Sequence, residues 1–255
     1  MSSGYPPSVA AVNQTAPAPR RVRGIVAGRT IFDTTRALYV WEWPHYPQYY
    51  IARDDADMTC LALTGVVEST PQGAVQLYDL RVGSVRRERA VRSIVDSPIP
   101  GLAETLRFEW DALEQWFEED EEVFVHPRNP YSRVDALRSN RNVRIELDGV
   151  TLAEASTSVM VFETGLPTRY YIDQRNVRFE SLVSSETRTE CPYKGRTSSY
   201  WSVEVAGKIV PDVAWSYAFP TRQLLPIAGL VAFLNEKVDV VLDGVPQPRP
   251  NTHMG

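Results

Sequence analysis

Residues 191–203, CPYKGRTSSYWSV, place a cysteine three positions before a lysine and end in aromatic residues. A thiol beside a cation loses its proton more easily than a free thiol, and the thiolate is the nucleophile. Cys191 and Lys194 are therefore candidates for a nucleophile and its neighbouring cation. Lys194 can also hold an anionic ligand as a point charge, with Gly195 letting the backbone come close. The alternative is an ordinary turn in which Cys191 packs as a small hydrophobic residue.

A second candidate group combines a glutamate with a tyrosine pair, and it occurs twice in the chain. A buried carboxylate that faces an arginine and phenol hydroxyls can bind a polar ligand or relay a proton. Glu163 is therefore the third catalytic candidate. The structural alternative is a Glu163–Arg169 ion pair that fixes a hairpin, with the tyrosines packed beside it. The two copies are Glu163, Arg169, Tyr170 and Tyr171, and Glu42, Gln48, Tyr49 and Tyr50.

Two further groups contribute candidate ligand-binding residues. Aromatic residues with polar edges line small-molecule pockets, but they equally build cores. Prolines hold the segment HPRNPYSRVD (126–135) extended, so its histidine and arginines can grip a carboxylate or phosphate. The structural alternative is that these arginines pair with Asp135 or with the acidic run at 118–122. The candidates are Trp201, Trp215 and Tyr217 in the first group, and His126, Arg128, Tyr131 and Arg133 in the second.

The elements that must position these residues come from a repeated sequence. Residues 21–53 align with 142–174 at a constant offset of 121, with nine identities in thirty-three positions. Such a period predicts two copies of one module. Val143, Ile145 and Leu147 alternate with polar residues before an Asp-Gly turn, which is typical of a half-buried strand entering a hairpin. Further strands are predicted at 60–67, 75–82, 122–126, 179–184, 200–205 and 230–234, and short helices at 111–119 and 221–226.

These patterns predict a mainly β protein of two tandem modules, built from small antiparallel sheets with one or two short helices each. The first module is assigned to residues 21–141 and the second to 142–245. The Pro-, Ala- and Ser-rich residues 1–20 and the tail 246–255 are predicted to be disordered.

The second module resembles the domain of unknown function 427 family, through CPYKGRTSSYWSV and through residues 212–240, DVAWSYAFPTRQLLPIAGLVAFLNEKVDV. The first module resembles the same family through residues 116–149, and together the two similarities span roughly residues 20–245. The resemblance implies a β-tent fold, in which two small antiparallel sheets lean together over a cleft. It implies no catalytic assignment.

Two expectations attached to this resemblance can be weighed on the residues. Relatives of the fold hold zinc with four cysteines, but this chain has only Cys60 and Cys191 and no closely spaced ligand pairs, so no metal is predicted. The family also carries a nucleotidyltransferase-like label, which calls for paired carboxylates on Mg²⁺. Asp55 and Asp57 form the one close pair of that kind in hydrophobic surroundings, and no glycine-rich phosphate loop accompanies them.

Composition restricts the partners. A formal charge of −5 argues against a protein that tracks nucleic-acid phosphates. The longest apolar stretch, 224–234, is too short to cross a bilayer, and the N-terminus does not read as a secretory signal. The expectation is a cytoplasmic protein with no cofactor and no membrane or nucleic-acid partner.

The functional hypothesis is a small polar or anionic molecule bound in an aromatic-lined cleft. If the protein is an enzyme, the second module is the active copy, because the first module has Thr70 in place of Cys191 and no counterpart of Lys194. The alternative is a non-catalytic module that binds a protein partner, and a weaker alternative is nucleotidyltransferase-like activity.

Overall fold

The structure, a computed structural model, describes residues 5, 6, 9–205 and 207–252. It divides into two compact units, one of residues 9–130 and one formed by residues 131–252 together with Tyr5 and Pro6. Strands account for 52% of the residues and helices for 9%, which confirms the predicted mainly β class. All the helices among the described residues are short 3-10 segments.

The first unit contains a seven-stranded and a four-stranded antiparallel sheet. The seven-stranded sheet has the strand order β1-β4-β5-β9-β8-β7-β6, and the four-stranded sheet has the order β11-β10-β2-β3. The strands are β1 (Thr15–Pro17), β2 (Val22–Val26), β3 (Arg29–Thr34), β4 (Leu38–Val40), β5 (Gln48–Ala52), β6 (Leu61–Thr70), β7 (Gly73–Val82), β8 (Val85–Asp96), β9 (Thr105–Phe108), β10 (Gln115–Glu118) and β11 (Glu121–Val123), and the 3-10 helices are Arg53–Asp55, Met58–Cys60 and Trp110–Ala112.

The second unit repeats this architecture and adds a two-stranded hairpin, β18-β19. Its large sheet has the order β12-β15-β16-β22-β21-β20-β17, and its small sheet has the order β14-β13-β23-β24. The strands are β12 (Val134–Ser139), β13 (Val143–Leu147), β14 (Val150–Ala155), β15 (Ser158–Glu163), β16 (Arg169–Ile172), β17 (Leu182–Ser185), β18 (Glu190–Cys191), β19 (Gly195–Arg196), β20 (Ser199–Val205), β21 (Lys208–Ser216), β22 (Val231–Phe233), β23 (Asp239–Leu242) and β24 (Val245–Gln247), and the 3-10 helices are Gln174–Asn176, Phe179–Ser181 and Arg222–Ile227.

The predicted repeat is present in the structure and extends beyond the aligned sequence. The offset of 121 relates β2 to β13 and β3 to β14, and it still holds where β6 and β17 begin, at Leu61 and Leu182. It also relates the pairing of Thr15 with Val40 to that of Ala136 with Val161. The same sequence spacing therefore produces the same strand order in both units.

One predicted helix is wrong. Residues 111–119 were expected to be helical, but Gln115–Glu118 form β10, which pairs with β2 in the small sheet. Trp116 and Glu118 are buried while Gln115 is exposed, so the segment follows the two-residue period of a strand. The second predicted helix, at 221–226, corresponds to the 3-10 helix Arg222–Ile227.

Three strands lie close to the predicted limits of the modules. Strand β1 lies inside the segment 1–20, β12 pairs with β15 of the second unit although it precedes residue 142, and β24 reaches past residue 245. The sequence of 134–139 lacks clear alternation, which explains why it was not read as a strand. Residues 1–4, 7, 8 and 253–255 of the two terminal segments lie outside the described residues.

In each unit the two sheets enclose a core of the protein's own side chains. In the first unit Phe32 of the small sheet meets Phe108 of the large sheet at 5.0 Å between ring centroids, and Tyr49 and Trp116 stack beside them at 5.8 Å. In the second unit the equivalent core is largely aliphatic. The gap between the sheets, which the family resemblance suggested as a ligand cleft, is thus occupied by hydrophobic residues in both units.

The other face of the second large sheet carries a second core. Tyr171, Trp215 and Tyr217 are buried there together with Leu224 and Ile227 of the 3-10 helix. This outer face is the one that holds the candidate site.

Candidate functional site

The hairpin that carries Cys191 and Lys194 is inserted between β17 and β20 as a separate two-stranded element. In the first repeat the long strands β6 and β7 continue to a turn at Pro71 and Gln72, whereas in the second repeat β17 ends at Ser185 and residues 186–198 form the hairpin before β20 begins. Gly195 has φ of +94°, a conformation that glycine adopts at little cost and other residues rarely adopt. The backbone N–H of Thr221 donates to the carbonyl of Lys194 at 3.0 Å and fixes the hairpin over the outer face of the sheet.

The insertion brings the three catalytic candidates into contact. The Lys194 ammonium donates to the Glu163 carboxylate at the end of β15, and its Nζ lies 3.7 Å from the Cys191 sulfur. The side chains of Lys194 and Glu163 are only 10% and 12% exposed, while the Cys191 thiol is free and half-buried. A buried charge is tolerated only when it is paired, so this contact holds the lysine in place.

Burial and charge act in opposite directions on the lysine. Burial alone lowers the pKa of the Lys194 ammonium, but the adjacent Cys191 and Glu163 outweigh it, and the pKa lies well above its usual value. Lys194 therefore stays protonated at neutral pH and supplies a fixed positive charge beside the thiol.

Two tyrosines border this cluster. The indole N–H of Trp215 donates to the Tyr171 hydroxyl at 3.2 Å, and burial raises the pKa of Tyr171 to about 12. Burial also raises the pKa of Tyr217, which interacts electrostatically with Lys194 and Cys191. Both phenols remain protonated at physiological pH, so they act as neutral hydrogen-bonding groups.

Arg169 is not the partner of Glu163. It forms a two-pronged ion pair with Glu236, at 2.6 and 2.8 Å, and both side chains are almost fully buried. The Glu163–Arg169 hairpin pair considered from the sequence is thus replaced by two separate pairs. Tyr170, on the opposite face of β16 from Tyr171, packs in the core between the sheets. Glu236 drew no attention in the sequence, because it lies 67 positions from Arg169.

The first repeat gives the same glutamate a different cation. Glu42 accepts a hydrogen bond from Tyr50 at 3.2 Å and one from Arg107 at 3.0 Å. The pairing of Ile51 with Leu106 places Arg107 opposite Tyr50, and the equivalent of Arg107 in the second repeat is Ala232, opposite Tyr171. The second repeat therefore has no cation at this strand position. Lys194 of the inserted hairpin pairs with Glu163 instead.

The remaining aromatic candidates lie apart from the cluster. The Tyr49 hydroxyl donates to Glu118 inside the first core. Trp201 packs against Phe179, at 5.6 Å between ring centroids, on the side of the core between the second pair of sheets. Of this aromatic set, Trp215 and Tyr217 are the members that reach the cluster.

The segment 126–135 uses its charged residues in ion pairs. Arg128 lies 3.5 Å from Glu121 and 3.9 Å from Glu118, and Arg133 lies 2.9 Å from Asp135. They match the alternative interpretation of this segment, in which its arginines pair with Asp135 or with the acidic run at 118–122. The ring of His126 stacks on Tyr46 with 3.7 Å between centroids, and Tyr131 is 49% exposed.

A cavity of about 560 Å³ opens on the outer face of the second large sheet. Arg138 and Asp173 are charged residues of its lining, and Tyr171 and Leu230 form part of its hydrophobic surface. Tyr171 thus takes part both in this cavity and in the surroundings of Lys194. Arg138 could not be predicted as a site residue, because an exposed arginine on a strand has no distinctive sequence pattern.

The carboxylates considered for Mg²⁺ already have protein partners. Asp55 pairs with Arg36 and accepts from Thr34 at 2.5 Å, and Asp57 pairs with Arg29 and caps the following 3-10 helix. No group of three metal-ligating side chains occurs within residues 5–6, 9–205 and 207–252. His253, one of the three histidines, lies outside the described residues.

The repeated fold and the comparisons with known proteins define the class. A family model described as domain of unknown function (DUF427) matches residues 14–119 and again residues 135–244. The chain therefore belongs to the DUF427 family and contains two tandem copies of its domain. Among curated proteins, none matches the chain. Of the helices in the described part of the chain, none is long and apolar enough to span a membrane.

Proposed function

We propose that the second repeat binds a small molecule with a polar or anionic group on the outer face of its large sheet, and that it is the functional copy. The observation that carries the proposal is the inserted hairpin, which places a buried, ion-paired Lys194 next to the half-buried thiol of Cys191. A buried ion pair contributes little net stability, so stability alone is a weak reason for this arrangement.

The neighbouring cavity supports a ligand of limited size. Its volume of about 560 Å³ lies within the range of small-molecule sites, which is about 300–1,000 Å³. Arg138 is an exposed member of the cavity lining and can attract an anionic group. Ser158, also in the lining, has a buried hydroxyl without a hydrogen-bond partner among the described residues, and a polar ligand or a water can satisfy it.

The difference between the two repeats supports one functional copy. In the first repeat Arg107 forms ion pairs with both Glu42 and Glu109, so protein carboxylates already neutralise its charge. That repeat has no thiol at the position equivalent to Cys191, where the sequence has Thr70. A ligand that uses the thiol and the lysine therefore binds once per chain.

Thermal-shift measurements with a panel of small carboxylates, phosphates, amides and esters test the proposal. A specific ligand raises the melting temperature by mass action, and Arg138→Ala is expected to weaken that ligand about tenfold, as for loss of one charged contact of ~1.4 kcal/mol. Arg222→Ala, an exposed arginine of the same repeat outside the cavity lining, is the matched control. A panel without any hit contradicts the proposal and favours a protein-binding module.

A further inference from the structure

Cys191, Lys194 and Glu163 form a continuous chain of contacts from the half-buried thiol inward. The lysine lies in the middle, 3.7 Å from the sulfur on one side and hydrogen-bonded to the carboxylate on the other. Lys194 and Glu163 are shielded by the hairpin and by the core of the outer face, whereas the sulfur is partly accessible. A reactant from solvent would therefore meet the sulfur first.

Lys194 is not itself suited to attack a substrate. An amine is nucleophilic only when it is neutral, and the buried ion pair with Glu163 keeps Lys194 protonated. Its positive charge instead lies 3.7 Å from the Cys191 sulfur. The cluster thus combines a sulfur nucleophile with a cation and a proton acceptor behind it.

Tyr217 is a hydrogen-bond donor next to the cluster. Its side chain is only 4% exposed and is buried with Tyr171 and Trp215 in the core of the outer face. It interacts electrostatically with both Cys191 and Lys194. A buried phenol in such surroundings can stabilise negative charge that develops on a carbonyl oxygen.

We propose that the second repeat performs acyl transfer through Cys191, with small carboxylic amides or esters as the substrate class. This inference rests on the proposed function of that repeat as the ligand-binding copy. Cys191 is the nucleophile, Tyr217 donates to the carbonyl oxygen, and Glu163 is a positioning residue that acts on the thiol through Lys194.

The bonds and protons balance as follows for an amide. The thiol proton passes to Glu163 through Lys194, which gives one proton to the carboxylate as it takes the proton of the thiol. The sulfur bonds to the carbonyl carbon, the C–N bond breaks, and the leaving amine takes the proton back from the Glu163–Lys194 pair. Water then attacks the thioester while Glu163 accepts its proton, the C–S bond breaks, and the thiolate recovers that proton. The net reaction is amide plus water to carboxylic acid plus amine.

An activated ester tests the covalent step on the full chain. The protein is incubated with 4-nitrophenyl acetate, nitrophenolate release is followed, and peptide mass spectrometry locates the acetyl group. We expect one acetyl group on Cys191, none after Cys191→Ala, and unchanged acetylation after Cys60→Ala, since Cys60 is buried in the first unit. Tyr217→Phe is expected to slow acetylation at least tenfold, because one donor to the oxyanion is lost.

The role of Glu163 needs a readout other than the rate alone. Glu163→Gln removes the proton acceptor. The pH at which acetylation reaches half of its maximal rate is therefore expected to rise. Glu163→Asp keeps a carboxylate and is expected to bring this pH part of the way back. The double variant Glu163→Gln/Lys194→Met, which removes both buried charges, shows by circular dichroism whether the fold persists. A pH profile that is unchanged in Glu163→Gln contradicts the positioning role.

Failure of this inference is separable from failure of the proposed function. If the ligand panel stabilises the protein but acetylation falls only on lysines or on Cys60, acyl transfer is refuted and ligand binding stands. If Cys191 is acetylated but no panel compound stabilises the unsubstituted protein, the thiol chemistry stands and the proposed cavity fails. If neither result is obtained, both are overturned.

Discussion

The site depends on the buried ion pair of Lys194 and Glu163. Single and double substitutions separate the cost of an unpaired buried charge from the net contribution of the pair to stability. Removing one member of a buried ion pair leaves an uncompensated charge and costs about 3–5 kcal/mol, whereas replacing both is often close to neutral. We therefore expect Lys194→Met to lower the free energy of unfolding by about that amount.

The corresponding double variant, Glu163→Gln/Lys194→Met, is expected to recover more than half of the loss in urea unfolding. Arg175→Met is the matched control, because Arg175 pairs with Asp173 on the surface and is 88% exposed. That control is expected to change stability by less than about 0.5 kcal/mol. An equally small effect of Lys194→Met would contradict the buried pair.

The two cysteines provide an internal comparison of thiol reactivity. Cys60 is 1% exposed, and burial together with Asp57 raises the pKa of its thiol. A raised pKa leaves less thiolate at neutral pH, so Cys60 is expected to react slowly with iodoacetamide. Cys191, half-buried beside an ammonium, is expected to react at least ten times faster at pH 7. Peptide mass spectrometry of the labelled protein measures both rates, and equal rates count against the site.

The residue types of the site were predictable from the sequence, but their pairing was not. Cys191 and Lys194 stand three positions apart, and their shared turn suggested a common role. Glu163 is 31 positions from Lys194, and the nearer Arg169 was the obvious partner. Only the inserted hairpin, whose path depends on the contacts of Thr221 and Gly195, brings Lys194 over Glu163.

At the level of elements, one strand pair of the small sheets shows how the repeats diverged while keeping the fold. In the first repeat Gly24 lies opposite Phe32, and in the second repeat Ile145 lies opposite Ala153. A Cβ added to Gly24 would lie 2.5 Å from the Phe32 ring. The large side chain has thus changed strands. The same added Cβ would also lie 2.6 Å from the side chain of Leu113.

This exchange predicts a compensating pair of substitutions. Gly24→Ile alone overpacks the core and is expected to cost about 1–3 kcal/mol or more. Phe32→Ala alone is expected to cost about 3–5 kcal/mol. The double variant Gly24→Ile/Phe32→Ala recreates the pair of the second repeat, so its loss in urea unfolding is expected to be smaller than the sum. A double variant whose loss of unfolding free energy equals the sum of the two single losses would contradict this compensation.

The turn of the inserted hairpin links an element to the site. Gly195→Ala places a residue with a side chain at φ of +94°. The resulting backbone strain is expected to cost about 1–3 kcal/mol and to displace Lys194. Iodoacetamide labelling of Cys191 is then expected to slow. Gly149→Ala is the matched control, since Gly149 has φ of +81° in a turn outside the site and no neighbouring atoms within 4 Å. Similar effects of both variants on labelling would contradict the role of the hairpin.

Strands were predicted well where one face alternates and poorly where it does not. The segment around Val143–Leu147 alternates strictly and was read correctly. Residues 111–119 place Leu113, Trp116 and Phe117 at a helical spacing, but pairing with β2 decides the outcome. Long-range pairing of this kind is not encoded in the local period.

For the molecule as a whole, the duplication was visible from nine identities and proved to hold for the complete strand order. What the repeat could not reveal was that the gap between the sheets is filled, which moves the candidate site to the outer face. Side-chain volume in a core depends on pairs of residues from distant strands. The location of the cavity therefore required the three-dimensional structure.

We expect one functional site in a chain that has two similar domains, and ligand protection of Cys191 is the decisive experiment. The protein is alkylated with iodoacetamide, with and without the strongest stabilising compound from the ligand panel, and both cysteines are quantified by peptide mass spectrometry. The compound is expected to slow alkylation of Cys191 several-fold, to saturate at one molecule per chain and to leave alkylation of Cys60 unchanged. A compound that stabilises the protein while Cys191 reacts at its original rate would contradict this expectation.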